Sequence, residues 1–68
     1  MDSKQAEELV KVLTGRPVTL VRTIREGFSN NPLWFIRVEG PSWTRRYRVC
    51  EFKSGQVSIK PVEPPQFR

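Results

Sequence analysis

Sixty-eight residues allow one domain and no second. A hydrophobic fraction of 37% is too high for simple disorder, yet supplies only one thin core. The single cysteine rules out an intrachain disulfide, and the absence of histidine excludes His-paired nucleophiles and His-ligated zinc. A zinc site built from cysteines alone fails for want of thiols, and no motif calls for a cofactor, so none is expected.

No apolar run approaches the roughly 20 residues of a membrane-spanning helix. The N-terminus reaches Glu7-Glu8 where the apolar part of a secretory signal would start. With one unpaired thiol, these features predict a cytoplasmic protein with no membrane partner.

Charge divides the chain unevenly. Residues 2–15 hold two lysines against three carboxylates, and residues 16–68 hold ten Lys/Arg against four glutamates. The whole +5 excess therefore lies outside the first element. Eight of those ten cations are arginine, whose planar fork suits bidentate contacts to phosphate.

The first element reads as a helix over Ser3–Thr14. Ala6, Leu9, Val10 and Leu13 recur at i, i+3, i+4, i+7 and make one apolar stripe, expected to pack on the rest of the chain. Asp2 with Gln5 has the spacing of a capping box, and Glu7 and Lys11 form an i,i+4 pair. Gly15 and Pro17 end the helix.

Four short strands follow. Val18–Glu26 is rich in β-branched residues, and Gly27 to Pro32 is a connection dense in turn formers. Leu33–Glu39 is the second strand, Trp43–Phe52 the third and Gln56–Lys60 the fourth, with breaks at Gly40-Pro41-Ser42 and Lys53-Ser54-Gly55. Short connections favour an antiparallel meander. The expected fold is α+β, one N-terminal helix on one face of a four-stranded sheet. Residues 1–60 make the domain, and 61–68, with Pro61, Pro64 and Pro65, make an extended tail.

Alternation splits each strand between two faces. Leu20, Ile24, Trp34, Ile36, Val38, Tyr47, Val49, Val57 and Ile59 form the apolar set, placed under the helix. Arg22 interrupts that set in the first strand. The opposite face then presents Thr23, Arg25, Phe35, Arg37, Arg46, Arg48, Ser58 and Lys60, open to water or to a partner. Arg45 falls with Tyr47 at the edge of the core.

Arginines interleaved with an aromatic ring suit phosphate neutralisation and base stacking. The candidate nucleic-acid contacts are accordingly Arg25, Phe35, Arg37, Arg46, Arg48 and Lys60. Phe35 has a competing reading as ordinary packing beneath a loop or the tail. Trp34 belongs with the core, and Trp43, after the Gly40-Pro41-Ser42 break, suits the rim and the core equally. Cys50 reads as a small half-buried residue. Glu39 and Glu51 are better matched to salt bridges than to paired-carboxylate catalysis. The leading expectation is a small non-enzymatic module that binds nucleic acid. The alternative is a protein-protein adaptor, or a homodimer, using the open face, an edge strand or the Pro-rich tail.

Overall fold

A computed structural model describes residues 1–25, 27–28, 30–62, 64 and, as backbone, 66–67. Helix α1 spans Ser3–Thr14. It starts at Asp2, whose carboxylate accepts from the Gln5 N–H at 2.9 Å, while the Asp2 N–H donates to Gln5 Oε1 at 2.9 Å. Two of the N–H groups that every helix start leaves orphaned are thereby satisfied. Gly15 closes the other end at φ 67°, and its N–H donates to the Lys11 carbonyl at 2.7 Å. A side chain there would meet the steric cost of the left-handed region.

The chain then forms β1 (Val18–Arg25), β2 (Pro32–Glu39), β3 (Trp43–Glu51) and β4 (Val57–Pro61), in the sheet order β1-β2-β3-β4. All neighbours are antiparallel. Asn30, at φ 57°, turns the chain between β1 and β2, a conformation asparagine tolerates better than most residues. Gly55, at φ 92°, does so between β3 and β4, where the Phe52 N–H donates to the Gln56 carbonyl at 2.8 Å. The fold is the expected α+β meander with its helix on one face.

Gln66–Phe67 form a two-residue strand, β5, paired with Thr44 and Trp43. Of the expected tail, Glu63, Pro65 and Arg68 lie outside the described residues, as do Glu26 and Ser29 of the first strand and its turn.

Ala6 and Val10 are fully buried and join Trp34, Ile36, Val38 and Val49 in one cluster. Met1, Val18, Leu20, Trp43, Tyr47 and Ile59 pack around it. Burying a side chain such as Val10 contributes roughly 1.5–3 kcal/mol. The rest of the expected stripe is not in the core: Leu9 is 41% exposed and Leu13 62%. The helix rests on β1 and β2, so only the line of side chains directly beneath its axis is covered. Val57, on the same side of the sheet but in β4, is likewise 38% exposed.

A second correction concerns β1. Leu20 pairs with Ile36, but Arg22 pairs with Phe35, so Val21 is an extra residue in a β-bulge. Beyond it the faces of β1 exchange. Thr23 sits opposite Trp34 and Arg25 opposite Pro32, on the helix side, while Ile24 sits opposite Leu33 on the other. Ile24 is therefore not core, and Thr23 and Arg25 do not face the open side. The physical reason is Arg22. Strict alternation would place its guanidinium between Leu20 and Ile24 in the core, and a buried unpaired charge costs several kcal/mol.

Candidate nucleic-acid interface

Cross-strand partners share a face, so the registers build the open side row by row. One row runs Arg22, Phe35, Arg48, Lys60 across β1 to β4. At about 4.8 Å between strands it spans about 14 Å. The next row, two residues along β2 and β3 and three along the bulged β1, runs Thr19, Arg37, Arg46. Glu39, opposite Thr44, follows. On the other side of the first row lie Ile24, Leu33, Cys50 and Ser58.

The two central rows hold five cations: Arg22, Arg37, Arg46, Arg48 and Lys60, all exposed. Arg37 and Arg46 stand directly opposite each other, as do Arg48 and Lys60, and like charges so placed destabilise a sheet. Glu39 accepts from Arg37 Nε at 3.0 Å. That Arg37 side chain is 50% exposed, so the pair adds little stability. Phe35 is half-buried, and the Arg22 guanidinium carbon lies 5.3 Å from its ring centroid. This is cation–π range.

Five of the six expected contacts therefore share one surface: Phe35, Arg37, Arg46, Arg48 and Lys60. Arg25 does not. It is on the far face, where its Nη1 donates to the Asn30 carbonyl at 3.2 Å across the turn. Arg22 takes its place, and the sequence carried a sign of this in the charge that broke the apolar alternation of β1.

Arg45 lies on the helix side opposite Val38, half-buried, with its guanidinium carbon 5.9 Å from the Tyr47 ring. Its Nε is buried and has no hydrogen-bond partner. The run Arg45-Arg46-Tyr47-Arg48 is thus divided between faces. Trp34 is 3% exposed and belongs to the core. Trp43 packs at the core margin, with Arg16 at 6.0 Å from its ring. Cys50 is more buried than expected, at 6%, beside Leu33 at 5%.

Glu39 and Glu51 occupy opposite faces, so they form no carboxylate pair. Glu51 accepts from the Met1 amine at 3.2 Å. On that side Met1, Leu9, Val12 and Val57 line an open groove of about 490 Å³, rimmed by Glu8 and Glu51. Among the described residues no cluster of His, Cys, Asp and Glu could hold a metal ion, and no helix is long and apolar enough to cross a membrane. No protein-family profile, curated protein or solved structure matches the chain.

Proposed function

We propose that the protein is a small non-catalytic module that binds nucleic acid through the helix-free face of its sheet. The observation that supports this best is the cross-strand row Arg22, Phe35, Arg48, Lys60, with Arg37 and Arg46 beside it. A phosphate backbone lying over these rows brings negative charge to a row in which Arg48 stands opposite Lys60, and Phe35 offers an apolar contact among the cations. Arginine forks favour phosphate oxygens over isolated carboxylates because they can bind two at once.

A protein partner has one more surface available besides the open face, the edge strands and the tail. The groove beside α1 has an acidic rim, so a polyanion is repelled there and an apolar protein segment is not. Charge complementarity names an occupant for the open face, which is why nucleic acid is preferred.

Fluorescence anisotropy with labelled oligonucleotides at two salt concentrations tests the proposal. Neutralising five phosphates gives a slope of about −3.5 to −4.5 in log K against log salt. Arg46→Glu with Arg48→Glu removes binding while the circular dichroism spectrum stays unchanged. Arg45→Glu, on the far side of the same strand, weakens binding less. Absence of wild-type binding at low salt, or a salt-independent dimer by sedimentation with no oligonucleotide response, overturns the nucleic-acid reading and favours the adaptor.

A further inference from the structure

Phe35 occupies the second strand of a four-stranded face, between Arg22 on β1 and Arg48 on β3. We infer that this face selects single-stranded over double-stranded nucleic acid, with one base stacking on the platform formed by the Phe35 ring and the Arg22 guanidinium. The inference rests on the nucleic-acid reading above and concerns which form of the polymer fits.

The geometry argues against a duplex. A major groove about 12 Å wide admits a helix or a two-stranded ribbon. A sheet face four strands wide, about 14 Å between its outer Cα atoms before side chains are added, does not enter it. A duplex would therefore meet the arginines with its phosphates alone, its bases stacked on one another and out of reach of Phe35. In a single strand the bases are free to turn toward the sheet. Aromatic rings and guanidinium planes are the surfaces on which unpaired bases stack.

The bulge supports the assignment independently of charge. The extra residue at Val21 brings Arg22 opposite Phe35 and to 5.3 Å from its ring centroid. The two groups thus form a preassembled pair, which lowers the ordering cost of binding a base. Bulges that re-aim one side chain in this way concentrate near functional surfaces. Arg48 and Lys60 continue the same row and Arg37 with Arg46 lie one row away, at about 6.7 Å along the strands. Backbone phosphates on either side of a stacked base thereby find cations without leaving the face.

The experiment compares oligothymidylate, oligouridylate and a duplex DNA of equal length, about 15 nucleotides, by anisotropy at matched salt. Both single strands are expected to bind at least tenfold more tightly than the duplex. The two single-stranded arms, which differ in the 2′-hydroxyl and the 5-methyl group, show whether the face accepts both DNA and RNA single strands. Phe35→Leu keeps an apolar side chain and removes the ring; it should weaken single-strand binding about 5- to 150-fold, the range set by one stacked base. Its salt slope should match wild type, because no phosphate contact is lost. Phe35→Trp should restore binding. Arg22→Lys, at an exposed position, keeps the charge and removes the guanidinium plane, and gives the same test should Phe35→Leu lose its fold; upfield shifts of the Phe35 ring protons on titration would report the stacking directly. Equal affinity for duplex and single strand, or single-strand affinity within twofold of wild type in Phe35→Leu or Arg22→Lys, overturns the inference and leaves the nucleic-acid reading standing. Wild-type binding to none of the three overturns both.

Discussion

A Cβ added at Gly40 would sit 2.1 Å from Trp43 Cε2, 2.4 Å from Cδ2 and 2.6 Å from Cζ2. Ordinary contact begins near 3.4 Å, so Gly40→Ala forces the indole to move by about 1.3 Å or the turn to open. Neither is easy. The Gly40 N–H donates to the Trp43 carbonyl at 2.8 Å, and the ring packs against the core cluster. Overpacking of this kind costs roughly 1–3 kcal/mol. Because φ at Gly40 is not positive, alanine brings no left-handed strain and recovers about 0.4–1 kcal/mol through the unfolded chain. The net loss is up to about 2.6 kcal/mol, a fall of up to roughly 20 °C in Tm for a domain of this size. Thermal unfolding followed by far-UV circular dichroism measures it without relying on the tryptophan. The decisive control is the double-mutant cycle with Trp43→Val. With the ring gone, Gly40→Ala should become neutral or slightly stabilising. An equal loss in both backgrounds would show that the contact with Trp43 is not what makes glycine necessary.

Three further outcomes are expected. Val10→Ala, at a fully buried position, should lower unfolding free energy by about 1–3 kcal/mol in urea titrations, whereas Leu13→Ala, 62% exposed, should stay within about 0.5 kcal/mol; equal losses would mean that the helix rests on a different line of side chains. Cys50→Ala should cost stability but leave oligonucleotide affinity within a few-fold, since the thiol is buried beside Leu33; loss of binding with the fold intact would give Cys50 a functional role. Lys60→Glu should raise stability by about 0.2–1 kcal/mol while weakening binding, because it replaces a like-charge pair with Arg48 by an opposite-charge one. A drop in Tm in that variant would refute the register-based argument.

The helix and its caps were legible in the sequence because every determinant is local: Asp2, Gln5 and Gly15 act within one turn of the residues they bond. The strands were legible because turn-forming residues separate them. What the sequence could not show is how far the helix reaches. Its 12 residues are about 18 Å long, and a cylinder roughly 10 Å wide covers two strands, so Leu9 and Leu13 flank the contact instead of making it. The bulge at Val21 was hidden for a related reason. One inserted residue reverses every later side chain of a strand, and no local signal distinguishes insertion from a tolerated arginine. Only pairing with β2 settles it, and that pairing exchanges Arg25 for Arg22 on the open face. The contact of Gln66–Phe67 with β3 is equally non-local, joining positions more than 20 residues apart.

The same registers link the sheet's electrostatics to the proposed activity. Arg37 faces Arg46, and Arg48 faces Lys60, across strands whose other side packs Ile36, Val38 and Val49 into the core. The core residues fix the alignment, and the alignment forces the cations together; neither pair can separate its backbones without disturbing buried side chains. Repulsion of this kind lowers stability in the free protein and is removed when an anion enters between the charges. Binding free energy then includes the relief of that repulsion as well as the new contacts. A sheet whose main core cluster lies on the opposite face can hold such a surface, because most of the packing that keeps it folded is not in the layer that meets the ligand.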